Sequence, residues 1–508
     1  METIDFIVIA VYIAVVVCIG ALVSRHGGTS RDFFLAGRSM HWAPIGLSIT
    51  LTAFSGINYA AFSGEVYGHG LYVALSLPVF IFVAFPVIRI IMPFYHQQGI
   101  SSAYEYLEKR FDVRVRTLGS GLFILWRVFW MATALYVPAK VLSLLTGVDQ
   151  HAVILAAGLI VTAYTSAGGI RAVIWTDVFQ FLVLVGGLFV ILLLAAAQIP
   201  GGFAGILGAA ADGGLMRPFH PFDPGVFSFD PSVRITLWSS WIGTFVAFMS
   251  RYGVDQVVVQ RYFTARDLRT AQVAFHLNYA ASILALLTLA MLGFAMYAHG
   301  AQTGVSGACA GRPMAFFVLL IQSLPAGAVG LVVTGLIAAT MSSVDSGINS
   351  CTTAFVTDFY SRFRPGWTPG SPAVNRVLSL FFGAIATVAA MSVGHLGTVF
   401  EIANKIINGF GSPLLAIFLM GMFSRTAVSS GVLAGGLLGA IWSAWVSFFV
   451  TDIALHYYAV VNLAGTWALC IVASFFARRL GSGGPSAEQL RWTWRFFQET
   501  EKPAKHMK

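Results

Sequence analysis

The chain has little charge and few cysteines. Of its 508 residues, only 10% are Asp, Glu, Lys or Arg, while 57% are hydrophobic. A soluble chain carries roughly 25% charged residues. With so few, this chain cannot cover its apolar surface, and a water-soluble globule is excluded. The cysteines are Cys18, Cys309, Cys351 and Cys470. None forms a CxxC pair or a CxxC with a His at metal-site spacing, which excludes a zinc or dithiol redox centre. Only Cys309 falls in a loop, so no disulfide is expected. The tail beyond Arg479, about thirty residues, is too short for a kinase or nucleotide-binding domain.

Long apolar segments are abundant. Spans of membrane-crossing length recur about thirteen times, near residues 4–24, 42–68, 71–95, 118–147, 150–168, 173–199, 233–258, 268–298, 326–360, 373–396, 398–424, 427–451 and 457–477. The first is too long for a signal-peptide core and opens with Glu2 and Asp5, so it reads as a retained helix. The loop 200–232, rich in Gly, Pro, Phe and Asp, reads as a lid or a plain connector. The expected organisation is an all-α polytopic membrane protein: a single transmembrane domain over 1–480 and a tail over 481–508.

The net charge of +9 follows topology. Arg25, Arg31 and Arg38 follow the first span, and Lys109, Arg110, Arg114 and Arg116 the third. Arg171 follows the fifth, and Arg261, Arg266 and Arg269 the seventh. Arg362, Arg364 and Arg376 follow the ninth, Arg425 the eleventh, and a basic tail the last. The alternate loops hold few cations, chiefly Arg217, Arg234 and Arg312. Cation-rich loops stay on the cytoplasmic side. The pattern predicts an N-terminus outside and a C-terminus inside the cell (inner) membrane. The partner of this charge is the lipid bilayer, with no role for nucleic acid.

Polar residues inside the apolar spans mark the candidate site. In 335–360, GLIAATMSSVDSGINSCTTAFVTDFY, the residues Ala339, Ser342, Ser343, Ser346 and Ser350 share one helical face. Asp345 and Asn349 border it. Small side chains admit a neighbouring helix, and hydroxyls are hard ligands for a small cation. Two spans carry a break: Ser55-Gly56-Ile57-Asn58 in the second and Ser250-Arg251-Tyr252-Gly253 in the seventh. Irregular backbone at membrane depth is tolerated where it lines a cavity. Breaks five spans apart match an inverted repeat of five plus five helices around a central site; the other reading is simple Gly-mediated packing.

The intramembrane charges each have two readings. Asp177 is a second cation ligand or an interfacial partner of Arg171. Arg127 snorkels or packs on a carboxylate. Lys405 meets the solute or pairs with Glu401. Arg251 faces the cavity as an anion-binding guanidinium, or pairs with Asp255 at a gate.

At these residues the chain resembles the sodium:solute symporter family. The matching pieces, in family order, are RDFFLAGRSMHWAPIGLSI, AYTSAGGIRAVIWTDVFQ, YGVDQVVVQRYFTARDLRTAQ, the 335–360 stretch and NGFGSPLLAIFLMGMF. The second and third look most like the iodide, multivitamin and monocarboxylate branch. The resemblance implies a leucine-transporter-type fold: one leading helix, a five-plus-five core over about 42–199 and 233–424, and two trailing helices. It implies a sodium site made by the carbonyls of Leu51, Phe54 and Ala339 and the hydroxyls of Ser342 and Ser343. A family Asp matches Asp177, and a second sodium is implied in some relatives; here its candidates are Asp177, Asp345 and Ser346. Ala53 stands where some members have Asp.

The expected function is sodium-coupled import of a small organic solute by alternating access, with Na+ as the coupling ion and no enzymatic activity. Candidate solute contacts are Thr52, Ser55, Asn58, Arg251, Tyr252 and Lys405. The resemblance places Arg251 where sugar carriers have a stacking aromatic, Asn58 where they have Gln, and apolar Leu77 where they have a carboxylate. A hexose needs many hydrogen-bonding partners, so an organic anion, a monocarboxylate or a pantothenate-like acid, is preferred over a sugar. An aspartyl intramembrane enzyme built on Asp177 and Asp345 leaves the serine stripe unexplained. A solute sensor lacks a signalling domain, and a channel would show flux without stoichiometric coupling.

Overall fold

The structure, a computed structural model, describes the chain apart from residues 25–33, 55, 101, 168, 218–224, 231, 234, 305–317, 319, 322, 364–371, 397–398, 451–452, 455, 497 and 499–508. Among the described residues there is no β-strand. A lead helix, α1 (Thr3–Ser24), is followed by α2 (Trp42–Ala53) and α3 (Gly56–His69), two halves of one crossing. Next come α4 (Val79–Pro86) and α5 (Met92–Gln98), joined by a π-helical turn. Short α6 (Glu105–Arg110) and long α7 (Val113–Thr146) precede α8 (Gln150–Ala167), α9 (Ile170–Gln198) and α10 (Gly202–Asp212). A second interrupted crossing comprises α11 (Thr244–Gly253) and α12 (Gln256–Thr264). After it run α13 (Leu268–Thr303), α14 (Ala328–Phe355), α15 (Pro372–Ala390), α16 (Val399–Ile406) and α17 (Ser412–Phe423). The last elements are α18 (Ser429–Phe449), α19 (Tyr457–Ala477) and short α20 (Ala487–Leu490).

Ten helices among the described residues are long and apolar enough to cross a membrane, so the count of thirteen is not confirmed. The reason is local. The second and seventh expected spans are broken into halves, and the fifth yields an apolar helix of only 150–166. The 200–232 loop also differs from expectation: its first part folds as α10, which packs on α13.

Burial identifies the centre. In α14, 83% of the most apolar window is buried, against 17% in α1. Helix α14 packs on α1, α7, α8 and α9. Its amino end is fastened to the lead helix: Asp5 Oδ1 accepts from the backbone N–H of Gly327 at 2.8 Å and of Gly330 at 2.7 Å. A carboxylate at a helix N-terminus satisfies otherwise orphaned donors. At Gly330 an added Cβ would lie 2.5 Å from the Asp5 Cα, so only glycine admits this approach.

Arginines counted above as loop cations are inside the protein. Arg110, Arg116 and Arg261 are buried. Arg116 donates to Asp358 and Glu108, and Arg110 donates to the carbonyls of Gly421 and Ser424. Arg127 packs on a carboxylate, as one reading held: it pairs with Asp255, donating from Nε to Oδ1 at 3.1 Å. Asp255 also caps α12 by accepting from Val257 N at 3.0 Å. The described part of the tail folds back, with Gln489 donating to Phe111 O and Trp492 O accepting from Tyr106. Cys18, Cys351 and Cys470 are free thiols, and Cys309 lies outside the described residues.

Breaking a fully buried ion pair strands one charge at a cost of about 3–5 kcal/mol. Arg127→Met should therefore lower the melting temperature of the purified protein markedly. Adding Asp255→Asn, which removes the stranded charge, should recover part of that loss.

Candidate functional site

Helix α2 ends because Phe54 adopts an extended conformation, φ −97° and ψ 117°. The α2 end thus lies at Phe54, just before the expected Ser55–Asn58, of which Gly56–Asn58 are helical; Ser55 lies outside the described residues. The last carbonyls of a helix have no intrahelical partner. Two are met from across the bundle. Leu51 O accepts from Ser342 Oγ at 3.4 Å, and Ala53 O accepts from Arg251 Nη1 at 3.3 Å. Ser342 Oγ also lies 3.2 Å from Ala339 O. One hydroxyl therefore bridges the broken helix and α14. Beside it, Ser343 Oγ is buried with no hydrogen-bond partner among the described residues. Leu51, Ala339 and Ser342 come together as expected. A hydroxyl shared by two carbonyls, followed in the chain by an unsatisfied buried one, offers the hard oxygens that a monovalent cation bound as cargo takes.

The rest of the stripe is used differently. Ser346 Oγ accepts from Arg261 Nη2 at 2.6 Å, and Ser350 donates to Gln260 at 2.9 Å. Asp177 is not paired with Arg171; its Oδ2 accepts from Arg261 Nη2 at 3.0 Å and from Ser48 Oγ at 2.5 Å. Arg261 Nε donates to Ser48 Oγ at 2.6 Å. A guanidinium thus stands between Asp177 and Ser346, two of the three second-cation candidates. The third, Asp345, turns to α8, where its Oδ2 accepts from Tyr164 OH at 2.7 Å.

The second break falls at Val254, φ −132° and ψ −7°, just past the expected Ser250–Gly253, which remain helical. Three tyrosine hydroxyls satisfy its freed carbonyls. Tyr262 donates to Tyr252 O at 3.0 Å, Tyr95 to Gly253 O at 2.8 Å and Tyr104 to Val254 O at 3.2 Å.

A cavity of about 150 Å³ lies between the two breaks. Asn58, Arg251 and Tyr252 line it, as expected for solute contacts, and so does Phe54, expected as a sodium ligand. Thr52 does not: it is buried and bonds back to Ser48 O at 2.7 Å. Lys405 is half-buried beside the lining residues Ala403 and Asn404 and is not itself one of them. Asp255, the alternative partner of Arg251, is engaged by Arg127. Among the described residues no carboxylate pairs with Arg251; it contacts Ala53 O and lies over the Trp130 ring at 5.1 Å. Trp130 and Thr244 also line the cavity, and Trp130 Nε1 and Thr244 Oγ1 have no hydrogen-bond partner among the described residues. Sequence reasoning missed both, and it placed Arg261 in a loop. Only Trp130 had a readable signal, one helical turn from the buried Arg127.

The profile of the sodium:solute symporter family matches residues 33–439. The chain belongs to the sodium:solute symporter family. It is similar to the sodium-coupled monocarboxylate transporter 1 of Homo sapiens, 31% identical over 452 residues, 87% of this chain and 73% of that one. To the sodium-dependent multivitamin transporter of Oryctolagus cuniculus it is 31% identical over 456 residues, covering 87% and 70% of the two chains. Its fold is that of a sodium-coupled sialic acid symporter in a substrate-bound outward-open state, with a TM-score of 0.83 at 24% identity over 94% of this chain and 98% of that one. A nucleobase-cation-symport-1 family transporter matches at a TM-score of 0.57 and 14% identity, over 91% and 97%.

As a sodium:solute symporter the protein is a multi-pass membrane protein that couples movement of a small solute to Na+, and it is not an enzyme. If Ser343 is a sodium ligand, Ser343→Ala should raise the sodium concentration for half-maximal uptake about tenfold, the equivalent of about 1.4 kcal/mol. Membrane insertion should be normal. Sodium dependence of uptake in proteoliposomes measures it, and an unchanged curve would remove Ser343 from the site.

Proposed function

We propose that this symporter imports a small organic monoanion, a monocarboxylate, together with Na+. The observation that carries this reading is Arg251: a buried guanidinium at the solute cavity with no carboxylate partner among the described residues. A desolvated guanidinium favours a carboxylate through paired charge-assisted hydrogen bonds. Trp130 Nε1 and Thr244 Oγ1 offer further polar contacts beside it. Phe54, Phe62, Phe80 and Phe248 supply an apolar wall for the carbon skeleton. The relatives named for monocarboxylates and for vitamins both favour organic acids. The cavity volume of about 150 Å³ favours the smaller solute, since a cavity of this size holds a benzene-sized molecule. It suits a short acid better than a pantothenate-like one.

Na+ is taken to bind the carbonyls of Leu51, Phe54 and Ala339 and the hydroxyls of Ser342 and Ser343. By tying the α2 break to α14 it orders Phe54 and Asn58 on the cavity wall. Solute then binds between the two breaks, the repeats rock, and both ligands leave on the other side. Coupling of this kind is reciprocal, so solute tightens sodium binding by the same factor. A second Na+ at Asp177, Asp345 and Ser346 would compete with Arg261 for the same oxygens. We place the N-terminus outside and the C-terminus inside the cell membrane, on the side of the remaining exposed cations. Residues 1–480 then form the transporter domain and 481–508 a cytoplasmic tail.

Arg251→Met should lower uptake of short monocarboxylates about 10- to 100-fold, the worth of a hydrogen bond to a charged group. Arg251→Lys keeps the charge, loses the planar fork, and should fall between. Uptake of labelled acids of increasing chain length into proteoliposomes, with and without sodium in the external medium, tests both site and size. Wild-type rates in Arg251→Met would refute the anion assignment.

A further inference from the structure

A larger cleft lies away from the solute cavity and shares no lining residue with it. Helices α15 and α18 both pack on α7 and leave about 820 Å³ between them. The walls include Leu122 and Leu125 of α7, Phe381 and Ile385 of α15, and Leu437 and Ile441 of α18. Leu125, Phe381, Leu437 and Ile441 expose 49%, 52%, 48% and 67% of their surface, so the cleft opens sideways, towards the bilayer.

Its one charged lining residue among the described residues is Arg114, at the foot of α7. Arg114 is 68% exposed and touches Asp112 at 3.3 Å through Nη2. That carboxylate also caps α7 through Val115 N, so its charge is shared. A second cation, Arg425, is exposed in the turn before α18. Arg110 Nη2 holds the neighbouring Ser424 O at 2.7 Å, which places that turn at the same end of the bundle as Arg114.

An open apolar trough with arginines at one end matches one chemistry: an acyl chain bearing an anionic headgroup. We propose that the cleft between α15 and α18 is a binding site for an anionic phospholipid. Its acyl chain lies along Leu122, Phe381 and Leu437, and its phosphate pairs with Arg114. The occupant joins α15 and α18 to α7, the helix that carries Arg127 and Trp130. The inference does not depend on which solute is carried.

The test is native mass spectrometry of the delipidated full-length protein, titrated with palmitoyl-oleoyl phosphatidylglycerol or the matching phosphatidylcholine. The wild type should retain phosphatidylglycerol about fivefold more tightly, the equivalent of about 1 kcal/mol for one basic side chain near an anionic lipid. Arg114→Gln should bring the two lipids to within twofold of each other. Leu437→Trp, which fills the trough at an exposed position, should remove one tightly held lipid of either kind. Equal retention of both lipids by the wild type, or an unchanged preference in Arg114→Gln, overturns the proposal. So does a dimer that Leu437→Trp abolishes, which would make the cleft an interface between copies of this chain. Arg114→Gln alters a solvent-exposed side chain and supplies the decision alone if Leu437→Trp fails to fold.

Discussion

Backbone carbonyls freed inside a membrane must find partners, because no lipid atom can supply them. Most of this structure's functional geometry follows from that requirement. Two helices stop at membrane depth, at Phe54 and at Val254. The second break is closed by Tyr95, Tyr104 and Tyr262, whose hydroxyls occupy its carbonyls. The first is closed less completely, by Ser342 on Leu51 and by Arg251 on Ala53. The Ser342 hydroxyl thus joins the carbonyls of Leu51 and Ala339, and the next residue on α14, Ser343, keeps a buried hydroxyl without a partner among the described residues. The contrast explains the difference in role: a sealed break is a structural hinge, whereas an unsealed one can take a cation.

The buried charges obey a similar rule. A charge out of water persists only with a close partner. Arg127 has Asp255, Arg116 has Asp358 and Glu108, and Arg261 has Asp177. Among the described residues Arg110 and Arg251 have no carboxylate: Arg110 is met by two carbonyls and the Phe111 face away from the cavity, whereas Arg251, on the cavity wall, has one carbonyl and an aromatic face. A cation left in that condition beside a cavity calls for an anion from outside the chain. Solute choice and ion choice are thereby separated. In the proposed reading, sodium is matched by oxygens on α2 and α14, and the organic anion by Arg251 on α11. The short distance between them runs through Ala53 and Phe54, which is a direct route for coupling.

Much of this was legible from residue order. The helical class, the lead helix, the paired breaks and the hydroxyl stripe follow from hydropathy and periodicity, and their positions hold within a few residues. The family resemblance rested on the same pieces. What residue order did not show was the partners of the cations. Arg110, Arg116 and Arg261 sit in loop-like sequence next to charged neighbours, and nothing local shows that their side chains are buried. Nor does an apolar run reveal where its helix stops, so the helices long and apolar enough to cross a membrane number ten among the described residues.

The sequence by itself determined that this chain lives in a membrane, that its helices break twice, and that Ser342, Ser343, Asp345 and Ser346 lie close together on one helix. Those are consequences of composition and a 3.6-residue period, which are local. Only the tertiary structure decided which charge meets which. Asp177 could have met Arg171, and Arg251 could have met Asp255, by proximity along the chain. Packing of α12 against α2 and α14 gave Asp177 to Arg261 instead, and α7 gave Asp255 to Arg127. Ion pairing depends on three-dimensional distance between helices far apart in sequence, so it is only after folding that Arg251 is seen at the cavity without a carboxylate among the described residues.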